Sequence, residues 1–219
     1  NTGGNNTCDN VEFCNLYLNS NLCDRYGENA VYKGIMDIWC SGSVFHHVWV
    51  EHFECGFWLG DYNDATARCS DGLRIADCRI RNNFADGVNF CLGTSEAAVF
   101  NCSVRNNGDD GLANWNDSKY GAKDEYDNIF AYNTIDLMWR AGAIALYGGI
   151  NQKAYNNYIC DTFMASGIHL NTTFDGHKFT GTTSEKPILF ENNYLVRSGT
   201  VKECWGRNYA AIDIEGECK

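Results

Sequence analysis

Apolar and polar residues alternate along two short segments of the chain that are near copies of each other. In residues 78–81 (Cys-Arg-Ile-Arg) the first and third side chains are predicted to face inward, while the two arginines face outward. Residues 102–105 (Cys-Ser-Val-Arg) repeat this pattern 24 residues later (102 − 78). Both segments run on through a pair of asparagines to an Asp-Gly turn. A repeat this short is typical of one coil of a β-solenoid, in which equivalent residues stack above one another.

Weaker copies of the repeat occur on both sides of these segments. Val48 and Val50 fit a preceding coil, and residues 156–160 and 192–196 both read Asn-Asn-Tyr followed by two apolar residues. A glycine followed by an apolar residue recurs at residues 87–88, 111–112 and 167–168. The pattern predicts an all-β chain, a single right-handed parallel β-helix over residues 1–219, with coils of about 22–36 residues and roughly eight coils in all. The hand follows because parallel crossovers are nearly always right-handed. An immunoglobulin-like sandwich is disfavoured, since its strands would not repeat their chemistry at a coil period.

Composition narrows the class of protein. The net charge of −11 and pI near 4.8 argue against nucleic acid and anionic membranes as partners, and no apolar run reaches the length of a membrane span. Twelve cysteines indicate an oxidising, secreted setting with disulfide bonds of undefined pairing. The chain shows no signal peptide, so Asn1 is expected to be a processed end or a cut inside a longer chain. Sequons for a glycoprotein lie at Asn5, Asn101, Asn116 and Asn171.

Three aspartates are the candidate catalytic residues. Asp86 and the Asp109-Asp110 pair follow the two copies of the repeat, 23 residues apart (109 − 86), so the coil period places their carboxylates side by side. An isolated Asp-Gly is usually a turn, but adjacent aspartates are costly unless they are solvated, share a proton or bind a cation. Trp58, Trp115 and Trp139 are predicted nearby, and flat rings suit the C–H faces of sugars.

Paired carboxyl groups match the chemistry of glycoside hydrolysis. One protonated carboxyl donates to the leaving oxygen, while an ionised carboxylate activates water or attacks. Mutual repulsion raises the pKa of one member and keeps it protonated near neutral pH. Side chains on neighbouring coils can splay to the ~6.5–9.5 Å that admits a water, which favours inversion.

The chain resembles glycoside hydrolase family 87 over residues 49–115, and more thinly over 139–149. The resemblance implies a right-handed β-helix enzyme of the α-1,3-glucanase and mycodextranase kind, which acts on an α-glucan with inversion. It assigns Asp109 as the general acid, with Asp86 and Asp110 positioning and deprotonating water. Family members are usually much longer, so the chain is expected to be the core of a longer protein. The matching segments are residues 49–52 (Trp-Val-Glu-His), 56–58 (Gly-Phe-Trp), 83–89 (Asn-Phe-Ala-Asp-Gly-Val-Asn) and 107–111 (Asn-Gly-Asp-Asp-Gly).

Other residues are weaker candidates for substrate binding. Arg140 is expected to bind a sugar hydroxyl or one of the aspartates, and Asp61 either a hydroxyl or only its own turn. His52 is assigned to the substrate groove or to a structural role. No metal site is predicted, because strand alternation places His46 and His52 on one face and His47 and Glu51 on the other. His169 and Asp213 are expected to be exposed coil positions rather than catalysts.

Three alternative functions stay open at this point. A calcium-dependent polysaccharide lyase would use the three aspartates to hold Ca²⁺, whereas the hydrolase needs no cofactor. A polygalacturonase-like enzyme shares the aspartate layout, but its Gly-His-Gly and Arg-Ile-Lys elements are missing. A non-catalytic β-helix would bind glycan or build an assembly, since open solenoid ends favour self-association.

Overall fold

Short strands separated by tight turns make up the protein. The computed structural model describes residues 8–20, 32–60, 69–202 and 205–216. A 3₁₀ helix spans Ser118–Tyr120. Within the described ranges no helix has both the length and the apolar character that a membrane crossing requires. In chain order the strands are β1 (Glu12–Cys14), β2 (Tyr17–Asn19), β3 (Lys33–Met36), β4 (Val44–His46), β5 (Trp49–Glu51), β6 (Cys55–Leu59), β7 (Arg74–Ala76), β8 (Arg79–Arg81), β9 (Val88–Cys91), β10 (Ala98–Phe100), β11 (Ser103–Arg105), β12 (Leu112–Trp115), β13 (Ile129–Ala131), β14 (Thr134–Asp136), β15 (Ile144–Leu146), β16 (Lys153–Tyr155), β17 (Tyr158–Cys160), β18 (Ile168–Asn171), β19 (Leu189–Glu191), β20 (Tyr194–Val196) and β21 (Ile212–Glu215).

Every third strand joins the same sheet. The first sheet has the order β1-β4-β7-β10-β13-β16-β19, the second β2-β5-β8-β11-β14-β17-β20 and the third β3-β6-β9-β12-β15-β18-β21. Neighbouring strands pair in parallel, so three successive strands form one coil of a right-handed parallel β-helix. The predicted fold class is confirmed, although the described residues form seven coils rather than roughly eight. The terminal coils carry the edge strands, and self-association through them stays a prediction.

Inward side chains stack in columns along the axis of the helix. In the second sheet Ile80 lies between Val50 and Val104 in register, and all three are fully buried. Full burial of such a side chain stabilises the fold by about 1.5–3 kcal/mol. Arg79 and Arg105 are exposed, as the alternation predicts.

Asparagine ladders form the corners between the second and third sheets. Asn82 and Asn106 adopt left-handed backbone angles (φ 58° and 54°), which asparagine tolerates better than most residues. The Nδ2 group of Asn106 donates to Oδ1 of Asn82 (2.8 Å), and that of Asn83 donates to Oδ1 of Asn107 (2.9 Å). These contacts hold each coil to the next at the asparagine pairs that the repeat contains.

The cysteines do not form the predicted disulfides in the described residues. All nine cysteines of these ranges are free thiols. Cys78 and Cys102 stack one coil apart in the core, where the backbone N–H of Cys78 donates to Sγ of Cys102 (3.4 Å). The pair therefore forms a column of free thiols in the core rather than a disulfide between coils. An extracellular location therefore stays a prediction.

Two of the four sequons are buried. Asn116 is 1% exposed, and its Oδ1 accepts from the backbone N–H of Glu125 (2.7 Å). Asn171 is 4% exposed and donates to Glu215 (3.1 Å). A glycan on either side chain would not fit the folded chain, so the glycoprotein prediction is wrong at these two positions. Asn101 is exposed, and Asn5 lies outside the described residues.

Candidate active site

The two Asp-Gly turns occupy equivalent places on neighbouring coils, just before β9 and β12. The backbone N–H of Gly87 donates to the carbonyl of Asp110 (2.9 Å), and Val88 pairs in register with Leu112. A Cβ atom at Gly87 would lie 2.5 Å from the carbonyl oxygen of Gly111, so a larger residue would push the coils apart. The glycine that follows Asp86 is therefore required by the close approach of two backbones.

Asp86, Asp109 and Asp110 come together on the outer face of the third sheet, as their spacing predicts. One oxygen from each carboxylate lies within 4.8 Å of the other two. Asp86 and Asp110 are 7% and 3% exposed, whereas the Asp109 side chain is 36% exposed. Two oxygens that share one water, each at about 2.8 Å, lie at most about 5.6 Å apart. The cluster therefore has the dimensions to hold a water or a sugar oxygen between two carboxyl groups.

Asp110 is buried but well provided with hydrogen-bond donors. The backbone N–H of Gly142 donates to its Oδ1 (2.8 Å), and the Tyr147 hydroxyl donates to its Oδ2 (2.8 Å). Burial and the Asp109 charge nevertheless raise the pKa of Asp110 to about 8, against the lowering effect of these donors. Burial and the charges of Asp109 and Asp110 raise the pKa of Asp86 well above its usual range. The cluster therefore retains protons near neutral pH.

Arg140 pairs with the most exposed carboxylate. Its Nη2 lies 2.8 Å from Oδ2 of Asp109, and its Nε donates to the carbonyl of Gly108 (2.7 Å). The guanidinium also lies 5.4 Å from the Phe84 ring centroid and 5.7 Å from that of Trp205. Burial raises the pKa of Asp109, but Arg140 opposes that rise. Its partial exposure leaves Asp109 as the carboxyl of the three that is most accessible from outside the cluster.

A groove of about 460 Å³ runs over this cluster. It crosses several coils, because its lining residues come from β6 through β21 and the turns between them. Its walls are aromatic on both sides of the carboxylates. The ring of Trp115 packs 4.7 Å from that of Tyr147 and 4.1 Å from that of His177, which holds the indole in place. An acidic cluster under aromatic walls is suited to a neutral carbohydrate.

Comparisons with known proteins agree with this geometry. The family model described as alpha-1,3-glucanase catalytic domain D2 matches residues 39–215. The chain belongs to this family. Among curated proteins no significant match is found.

Several solved structures match most of this chain in fold and in sequence. The Agl-KA catalytic domain is 49% identical with a TM-score of 0.88, over 95% of this chain and 35% of that one. The catalytic domain of a GH87 alpha-1,3-glucanase is 27% identical with a TM-score of 0.63, over 82% and 31%. The catalytic unit of the thermostable GH87 alpha-1,3-glucanase from Streptomyces thermodiastaticus strain HF3-3 is 28% identical with a TM-score of 0.56, over 80% and 30%. The chain thus spans about a third of the length of these relatives.

Some of the predicted binding residues of this glucanase-family domain line the groove and others do not. Trp58 and Trp115 line the groove. Trp139 does not line the groove; its ring packs 6.4 Å from that of Phe84, and the Arg140 guanidinium lies 5.8 Å from its centroid. His52 lies away from the groove, with its Nδ1 2.9 Å from Oδ1 of Asn19. Asp61 lies outside the described residues.

A polar cluster at the far end of the groove was not predicted. His169 is buried rather than exposed, and its Nε2 lies 3.7 Å from Oδ2 of Asp213 and 3.8 Å from Oε2 of Glu215. Arg207 pairs with both carboxylates. The expectation that His169 and Asp213 are exposed coil positions is therefore wrong. The alternation could have placed them on the face of Asn89, since Asn89 and His169 each follow the first inward residue of their strand.

Proposed function

We propose that this domain hydrolyses α-1,3-glucosidic bonds of a glucan, with Asp109 as general acid and Asp86 and Asp110 activating the water. The observation that carries the proposal is the cluster of three carboxylates, with oxygens within 4.8 Å of one another, below an aromatic groove. Membership of the glucanase family supports hydrolysis over a lyase or a polygalacturonase-like activity.

The spacing of the aspartates gives independent support. Three solved GH87 alpha-1,3-glucanase catalytic domains, 25% or 26% identical to this chain, each carry one aspartate-to-alanine substitution and are complexed with nigerose or tetrasaccharides. The substituted aspartates lie 23 residues and one residue apart along that chain. Asp86, Asp109 and Asp110 have the same two separations (109 − 86 = 23; 110 − 109 = 1).

The roles are assigned from exposure, and they require a proton of the cluster to be on Asp109 when the glycosidic bond breaks. Asp109 is the most exposed of the three aspartates that line the groove, so its carboxyl is placed to protonate the glycosidic oxygen as the bond to the anomeric carbon breaks. Water held by Asp86 and Asp110 attacks that carbon and gives its proton to one of them. Transfer of this proton within the cluster then restores the acid form of Asp109, because its neighbours are within reach of a bridging water.

The distance between the carboxyl groups bears on whether cleavage inverts or retains the anomeric configuration. The closest oxygens within the cluster are nearer than the ~6.5–9.5 Å between the carboxyl groups of inverting enzymes. A sugar between Asp109 and its neighbours would widen that gap, and we infer inversion. Proton NMR of the first products from an α-linked substrate decides this point, since inversion releases β-anomers and retention releases α-anomers.

Digestion of α-1,3-glucan tests the activity. We expect reducing ends from the wild type, and a loss of at least 10²-fold for Asp109→Asn, Asp86→Asn and Asp110→Asn with glucan binding retained. Asp136→Asn is the matched control, because Asp136 also pairs with an arginine, Arg105 (3.1 Å), but on the second sheet. A wild type that binds glucan without cleaving it would support the non-catalytic alternative.

Two further readouts separate the hydrolase from the lyase. A hydrolase gives saturated products and keeps its activity when a chelator removes Ca²⁺. Products that absorb in the ultraviolet, together with a loss of activity on chelation, would instead assign the three carboxylates to Ca²⁺ binding.

A further inference from the structure

A second cluster of ligand-type side chains lies on the outer face of the first sheet, on the two coils nearest the N-terminus. Glu12 and Cys14 are two residues apart on β1, so they share a face, and Cys14 pairs directly with His46 on β4. One ligand atom from each of the three residues lies within 4.8 Å of the other two. The cluster is only partly buried, so an ion can reach it.

Both ring nitrogens of His46 are engaged. Its Nε2 lies 2.7 Å from Oε1 of Glu12, and its Nδ1 lies 2.8 Å from Nδ1 of His47. His47 adopts a left-handed backbone angle (φ 54°) at the corner after β4, which turns its side chain back beside His46. Strand alternation, which places these two histidines on opposite faces, does not hold at this corner. The second histidine can therefore orient the ring of the first, as outer partners of metal ligands commonly do.

We propose that Glu12, Cys14 and His46 bind Zn²⁺. A thiolate, an imidazole and a carboxylate are the ligand types that Zn²⁺ takes, whereas Ca²⁺ and Mg²⁺ require oxygen ligands. Tetrahedral Zn²⁺ with bonds of about 2.0–2.3 Å sets its ligand atoms about 3.3–3.7 Å apart. Side-chain rotations that move the ligand atoms by about 1 Å would therefore complete the site. Binding converts the Cys14 thiol to a thiolate and releases its proton to the solvent. The fourth position is left to water.

The site would join the first coil to the second. β1 is the terminal strand of the first sheet, with β4 as its neighbour in the described sheet. An ion held by β1 on one side and β4 on the other would resist separation of this edge strand, which is the weakest part of an open sheet. The proposal is independent of the glucanase activity, because the cluster and the carboxylate groove lie on different sheets.

Titration of the whole protein with Zn²⁺ against a chromophoric chelator tests the site. We expect one tight equivalent in the wild type and at least tenfold weaker binding in Cys14→Ser and His46→Gln. His52→Gln is the matched control, because His52 also contacts the neighbouring coil, through Asn19, without a cysteine in that contact. The wild type with Co²⁺ in place of Zn²⁺ should show a thiolate charge-transfer band that Cys14→Ser lacks.

Thermal unfolding gives a second measurement that does not depend on the chelator. Free Zn²⁺ at about a hundredfold excess over its dissociation constant should raise the melting temperature by roughly 5–10 °C in the wild type and not in Cys14→Ser. Circular dichroism shows whether each variant is folded. Absence of Zn²⁺ binding by the wild type, or binding lost in Cys40→Ser but kept in Cys14→Ser, would overturn the proposal.

Discussion

Replacing Arg140 by glutamine should change the pH dependence of the proposed hydrolysis in a way that reports the role of Asp109. The substitution removes a positive charge 2.8 Å from the Asp109 carboxylate and keeps a side chain that can donate a hydrogen bond. Opposite charges about 4 Å apart attract by about 4 kcal/mol at an effective dielectric constant of 20. Asp109 is 36% exposed, so solvent screening reduces this to about 1–2 kcal/mol. At 1.36 kcal/mol per unit, the pKa of Asp109 should rise by about one unit.

The measurement is kcat/KM against pH on a soluble α-1,3-linked oligosaccharide. A general acid must be protonated, so a higher pKa for Asp109 extends activity to higher pH and moves the alkaline limb up by about one unit. Arg140→Lys keeps the charge but not the two-point contact, and its alkaline limb should stay near that of the wild type.

The limb that moves is the deciding result. A shift confined to the acidic limb would mean that Asp109 must be ionised for activity, which would refute its assignment as the acid. No shift in either limb would show that the ion pair does not set the pKa of Asp109 during turnover.

Three further substitutions should change either the pH profile of hydrolysis or the stability of the fold. Tyr147→Phe removes a hydrogen bond to the Asp110 carboxylate worth about 1.5–3 kcal/mol, so its pKa rises and the acidic limb of kcat/KM moves up by about 1–2 pH units. Glu125 is fully buried, and burial raises its pKa well above the usual range, so the native state holds a proton that the unfolded chain loses above its ordinary pKa of about 4.3. Wild-type stability should therefore fall as pH rises, by up to about 1.36 kcal/mol per unit until the folded-state pKa is passed. Glu125→Gln should make this fall smaller in urea unfolding at pH 4 and pH 8, while the raised pKa values of Asp86 and Asp110 leave part of it in place. Gly108→Ala places a Cβ against the Phe84 carbonyl and the Trp139 ring, and should cost about 1–3 kcal/mol of stability.

A specific result would refute each of these three predictions. An unchanged acidic limb in Tyr147→Phe would mean that Asp110 is not the catalytic base. Equal pH dependence of unfolding in the wild type and Glu125→Gln would mean that Glu125 titrates normally. A Gly108→Ala variant as stable as the wild type would show that the two coils relax at little cost.

Much of the fold follows from local pattern. Cys78 and Ile80 recur as Cys102 and Val104 one coil later, and a period of about 24 residues is too short for any arrangement but stacked coils. Asp86 and Asp110 meet for the same reason, since parallel strands in register carry equivalent residues to adjacent positions. The catalytic candidates were therefore predictable without coordinates.

Residues joined across the longest coil were not predictable in this way. The turn before β21 spans 15 residues (197–211), whereas the turns before β9, β12, β15 and β18 span six or seven, so the repeat does not align β21 with β18. His169, Asp213 and Glu215 form one cluster because β18 and β21 pair in register, although 44 residues separate His169 from Asp213 (213 − 169).

By itself the sequence determined the period, the inward column and the three carboxylates, because these depend on alternation and on strict repetition. The tertiary structure alone decided the rest. A left-handed corner turned His47 beside His46, coil pairing set Cys14 and Glu12 against them, and burial of Asn116 and Asn171 closed two sequons. Each of these depends on which turn lies above which, and a backbone reversal at one residue changes the side chain's face without leaving a mark in the pattern.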